Sequence, residues 1–111
     1  MCSNDKNMEV RFDKDYLKLL YISGEAGKRH RFQPQIIKRY IRVIDLMMEL
    51  PNVNALTQYN SLRYERLSGD KKGLSSVRLN DQYRIEFEEI LKDSEVIACI
   101  CNITDLSNHY K

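Results

Sequence analysis

Arg78 and Arg84 stand on either side of the polar run Asn80-Asp81-Gln82, each inside a segment of strict alternation. Val77 and Leu79 take one face of the first segment, and Ser76, Arg78 and Asn80 the other. On the return, Tyr83, Ile85 and Phe87 share a face while Arg84, Glu86 and Glu88 take the opposite one. Cross-strand partners lie on the same face of a sheet, so Val77 should oppose Ile85 and Leu79 should oppose Tyr83. That register leaves Asn80–Gln82 as a three-residue hairpin loop; a two-residue loop would set apolar residues against charged ones. It also sets Arg78 directly against Arg84, a like-charge pair that costs up to about 1 kcal/mol. An anion above the pair, whether a phosphate, a carboxylate or a partner chain, would repay that cost. Solvated arginines neutralised by Glu86 and Glu65 are the alternative.

Immediately before the hairpin, the run Gly69-Asp70-Lys71-Lys72-Gly73 is a basic turn whose glycines let backbone approach a ligand closely. His109 is a further candidate, because an unperturbed imidazole titrates near about pH 6.5 and exchanges protons at neutrality. A position third from the end also fits a frayed tail. His30, in the turn Lys28-Arg29-His30-Arg31, reads as surface. Cys99 and Cys101 alternate with Ala98 and Ile100 in a run apolar on both faces, and Cys2 falls in a polar start. Two cysteines on one strand face make a poor disulfide, and no second Cys/His cluster accompanies them. Reduced core thiols are the reading; no metal or cofactor is expected.

The elements that must position these residues follow in order. Met8 to Phe12 alternates as a first strand, and Asp13 is the expected N-cap of a helix carrying Tyr16, Leu17, Leu20 and Tyr21, ended by Gly24 or Gly27. Pro34 suits the first turn of a second helix. There Ile36, Ile37, Tyr40, Ile41, Ile44, Met47 and Met48 trace an apolar stripe opposite Lys38, Arg39, Arg42, Asp45 and Glu49, before Pro51 closes the helix. Residues 52–60 read as a loop, 62–67 as a second strand, 90–94 as the turn leaving the hairpin, and 96–103 as a central strand. Strand, two helices, then a run of strands predicts an α+β domain. Its two N-terminal helices pack on one face of a small twisted, mainly antiparallel sheet.

With 111 residues the chain is one domain, expected over 8–111 behind a flexible extension at 1–7. Apolar residues at 42% and charged residues at 31% exclude a disordered chain. No run approaches the roughly 20 apolar residues of a membrane helix, and no signal core opens the chain, so a cytoplasmic location is expected. The net charge of +2 conceals an uneven distribution. Lys28, Arg29, Arg31, Lys38, Arg39 and Arg42 occur without an acid between them, whereas residues 86–105 hold six acids and Lys92 as their one base. A basic surface beside an acidic one permits RNA binding.

The run Gly-Asp-Lys-Lys-Gly followed by Ser-Val-Arg-Leu-Asn-Asp-Gln-Tyr-Arg-Ile-Glu-Phe resembles the central signature of the HigB branch of RelE-type toxins, the ribonuclease halves of bacterial toxin–antitoxin pairs. The likeness extends over the first strand, two helices, hairpin, late apolar strand and near-terminal histidine. It implies the RelE-like fold and a ribosome-dependent, metal-independent mRNA endoribonuclease in which the ribose 2′-hydroxyl attacks the adjacent phosphate and expels the 5′-oxygen. It further implies His109 as the acid–base residue; for that reaction Arg84 and Arg78 are the candidates to grip the scissile phosphate, Lys71 or Lys72 to contact phosphate with the other solvated, Tyr110 beside His109 to stack on a base, and Lys111 to add charge there. Tyr83 falls on the apolar face, so core packing is expected of it. The implied partners are the ribosome and mRNA, and a HigA-like helix-turn-helix antitoxin through which alone DNA would be reached. Lys38, Arg39 and Arg42 are candidates to face that antitoxin. Relatives of this kind often end in Asp-Tyr-His, where this chain has Ser107-Asn108-His109. Asp105 is a candidate replacement acid, and a non-catalytic RelE-fold protein that binds an antitoxin or RNA is the alternative function.

Overall fold

A computed structural model describes residues 7–25, 32–91 and 97–108. The alternation at the start forms strand β1 (Glu9–Phe12). Its pairing does not stop at Phe12, because the Asp13 N–H donates to the Ile103 carbonyl at 2.8 Å. Asp13 is therefore tied by its backbone to β5, and Lys14 rather than Asp13 stands at the cap of the first helix. Helix α1 (Asp15–Ser23) has Lys14 at its N-cap, without a side-chain capping bond, and Asp15 in its first turn, where the helix dipole favours an acid. Gly24 ends α1 at φ +76, its N–H donating to the Leu20 carbonyl at 2.9 Å.

Helix α2 (Pro34–Glu49) buries Ile36, Tyr40, Val43, Ile44 and Met47. Val43 joins the expected stripe, while Ile37, Ile41 and Met48 flank it, partly buried. The Tyr40 hydroxyl donates to the Leu17 carbonyl at 2.8 Å and so ties α2 to α1. Burying a side chain of this size contributes about 1.5–3 kcal/mol.

The expected loop at 52–60 is structured. Two 3-10 turns, Val53–Gln58 and Asn60–Leu62, sink Val53, Leu56 and Leu62 into the core. Anchoring Leu62 leaves Arg63 at φ +45, so the strand expected over 62–67 shrinks to β2 (Glu65–Arg66). Strands β3 (Leu74–Arg78), β4 (Arg84–Ile90) and β5 (Ile100–Ser107) complete a five-stranded sheet in the order β1-β5-β4-β3-β2. Only the β1–β5 pair is parallel.

The hairpin has the expected register, with Val77 opposite Ile85 and Arg78 opposite Arg84. Asn80 closes its three-residue loop by accepting the Gln82 and Tyr83 N–H groups on Oδ1, each at 2.8 Å. Ile90 belongs to β4 rather than to a turn. The apolar run expected as a strand over 96–103 enters the sheet only at Ile100 and continues to Ser107. It is an interior strand as expected, and Cys99 and Cys101 are buried free thiols. Among the described residues no helix is long and apolar enough to cross a membrane.

Candidate functional site

The sheet has one apolar face, which carries Val77, Ile85 and Phe87, and one polar face built from the alternate positions. Ser76 and Arg78 of β3, Arg84 and Glu86 of β4, and Asp105 and Ser107 of β5 form neighbouring rows: Ser76 opposes Glu86, Glu86 opposes Asp105, and Arg84 stands between Arg78 and Ser107.

Arg84 is 7% exposed, and a guanidinium removed from water must be hydrogen-bonded. Its Nε donates to the Ser76 hydroxyl at 2.7 Å, and its Nη2 donates to the Arg63 carbonyl, reaching across β3. Arg63 occupies the left-handed region, so this irregular residue before β2 supplies one wall of the site. Arg78 is more open, with about a third of its side chain exposed, and bonds the Asp81 carboxylate from within the hairpin loop.

The alternative to an anion above the two arginines has Glu86 and Glu65 neutralising them. Asp81 serves Arg78 instead, and the Glu86 carboxylate, with 3% of its side chain exposed, is ion-paired to Lys71 Nζ at 2.6 Å. Glu65 lies exposed on β2. The basic turn straddles the sheet. Lys71 reaches the polar face, whereas Lys72 is exposed and lines a groove of about 700 Å³ with Ser75 and Glu89, residues of the opposite parity. Only the first lysine thus joins the arginines. Sequence reasoning missed Ser76 and Arg63 as supports, and its alternative use of Glu86, as a counter-charge to the arginines, gives way to the pair with Lys71. The signal for Glu86 was present, since a carboxylate on an interior strand demands a partner.

Asp105 accepts a hydrogen bond from the Tyr16 hydroxyl at 3.3 Å. Burial, then the Asp105 charge and that bond, push the Tyr16 phenol up to about 12. Tyr83 packs edge-on against Phe32 with ring centroids 5.9 Å apart, in keeping with a core role. Lys38 and Arg42 are exposed on α2, and Arg39 is half-buried. His109, Tyr110 and Lys111 lie outside the described residues, as do His30, Cys2 and residues 1–6 of the expected extension. Ser107, opposite Arg84, is two positions before His109. Among the described residues no group of three His, Cys, Asp or Glu could hold a metal ion.

The fold is that of RelE-type toxins. YafQ from E. coli strain BL21(DE3) superposes with a TM-score of 0.56 at 12% identity, over 92% of this chain and 93% of that one. The toxin chain of the E. coli DinJ-YafQ toxin–antitoxin complex superposes at 0.55 and 14% identity, over 93% of each chain. By sequence, residues 10–101 match the model of the RelE-like toxin of type II toxin-antitoxin system HigB. Toxin HigB-1 of Vibrio cholerae serotype O1 is 32% identical over 82 residues, covering 73% of this chain and 83% of that protein. The chain belongs to the HigB-like toxin family, the toxin component of type II toxin–antitoxin systems. The matched span takes in Lys71, Lys72, Arg78 and Arg84 and ends before His109.

Proposed function

We propose that this toxin is a ribosome-dependent endoribonuclease that cuts mRNA without a metal and thereby stops translation. The observation that carries the proposal is the row Arg78–Arg84–Ser107, which sets two arginines on one face of the sheet in register with Ser107, two positions before His109 in the sequence. A dianionic phosphorane is the species such a site would favour. Arg78, the more exposed, is suited to grip the scissile phosphate with its forked donors, while Arg84 supplies a fixed positive charge beside it. Lys71 adds a third cation at the same face, and Tyr110 and Lys111 would hold flanking nucleotides.

RNA brings its own nucleophile. The 2′-oxygen attacks phosphorus and forms the 2′,3′-cyclic phosphate, the bond from phosphorus to the 5′-oxygen breaks, and that oxygen leaves with a proton. His109 is the residue proposed to exchange protons in this step. Asp105 is engaged by Tyr16 and pairs across the sheet with Glu86, which supports His109 rather than Asp105 in that role. A HigA-like helix-turn-helix antitoxin is the proposed neutralising partner and the route by which the complex reaches DNA. The DinJ-YafQ complex, a toxin of this fold bound to its antitoxin, supports such partnering, and the exposed cations of α2 are candidates to face the antitoxin. The proposed substrate places the protein in the cytoplasm.

The test is to add the purified toxin to programmed ribosomes and map new mRNA 5′ ends. Cleavage by the wild type that falls about a hundredfold in His109→Ala and in Arg78→Ala, both still folded, is the expected result. Intact mRNA at saturating toxin would refute the nuclease reading and favour a binding protein without catalysis.

A further inference from the structure

The turn between β2 and β3 is held at several points. Gly69 and Gly73 both have positive φ, at +64 and +97, and a 3-10 turn spans Gly69–Lys71. The Leu67 N–H closes the neck on the Leu74 carbonyl at 2.8 Å. None of these features selects which lysine turns to the polar face. The Lys71–Glu86 ion pair does, linking residues 15 apart in sequence at 2.6 Å with the carboxylate 3% exposed.

We infer that Glu86 is a positioning residue: it docks Lys71 beside Arg84 and so builds the third cation of the phosphate site, an inference that rests on the RNA-cleavage reading. The geometry of β4 supplies the distance. Residues two apart on a strand share a face with Cα atoms about 7 Å apart, so a cation held on Glu86 is brought within one phosphate's reach of the Arg84 guanidinium. The carboxylate supplies the charge balance, since two cations that close on one face would otherwise repel. A free lysine samples many rotamers, and one already held by an ion pair has lost that freedom before substrate arrives. Lys72, next in sequence but on the groove side, is not positioned by this pair.

Glu86→Gln tests the inference. It keeps an acceptor of the same shape and removes the charge. Backbone amide hydrogen exchange over 70–73 should accelerate about tenfold as the turn is released. On programmed ribosomes kcat should fall about tenfold with KM unchanged or lower, because the positive charge of Lys71 is retained and still attracts RNA. A merely structural role would lower the folded fraction, and kcat per folded molecule would then stay at the wild-type value. Unchanged exchange at 70–73 overturns the inference. So does a further loss of more than about threefold when Glu86→Gln is added to Lys71→Met, since a residue acting through Lys71 has nothing left to act on. The same double variant removes both charges together, and it stands in for the single variant should that fail to fold. If the wild type itself cuts no mRNA, the nuclease reading falls, and amide exchange still decides whether Glu86 holds the turn.

Discussion

Replacing Arg84 by lysine keeps the charge and the length but removes the fork. In the folded protein the guanidinium, 7% exposed, holds the Ser76 hydroxyl at 2.7 Å through Nε and the Arg63 carbonyl through Nη2. These acceptors lie in different directions, on β3 and on the residue before β2, and a lysine head reaches one of them. A hydrogen bond from a charged donor contributes about 1.5–3 kcal/mol, so Arg84→Lys should cost about 2 kcal/mol. For a domain of this size that corresponds to a fall in Tm of about 8 °C. Thermal unfolding followed by far-UV circular dichroism at pH 7 measures it. Ser76→Ala removes one of the same bonds, so the double variant should lose less than the sum of the two singles. A midpoint for Arg84→Lys within about 2 °C of the wild type would refute the assignment of Arg84 as the fork that ties β4 to the chain entering β2.

Two further outcomes follow from buried groups. Burial, then the charges of Glu89 and Cys99, pushes the Cys101 thiol from the usual 9.0 up to about 12. Cys101 should therefore not react with a thiol-specific disulfide reagent at pH 8 until the protein unfolds, and its prompt labelling in native protein would contradict its place in the core. The same shifts set an alkaline limit. Folded protein retains protons on Cys101 and Tyr16 that the unfolded chain releases at their usual 9.0 and 10.0. Stability is then complete below about pH 9 and falls as pH rises toward about 12. A urea midpoint that does not drop between about pH 8.5 and pH 11 would oppose this.

Periodicity is written locally, and what depends on it alone could be read from the chain. The hairpin register follows from the parity of Val77, Leu79, Tyr83 and Ile85, since a slip of one residue would expose each of them. The stripe of α2 and the two-sided burial of Cys99–Ile103 follow in the same way. Partner choice is not local. Pairing of β1 with β5 joins residues some ninety positions apart, and their contact ties the Asp13 backbone to Ile103 although its type favours a cap. Leu62, drawn into the core, cut short a strand that its alternation predicts. At the site, residue types announced cations and acids, yet neighbouring Lys71 and Lys72 turned to opposite sides of the sheet. Glu86 and Asp81 each took a cation that composition could not assign. Charge acts through space rather than along the chain, so which acid meets which base was settled only when the turn folded across the sheet.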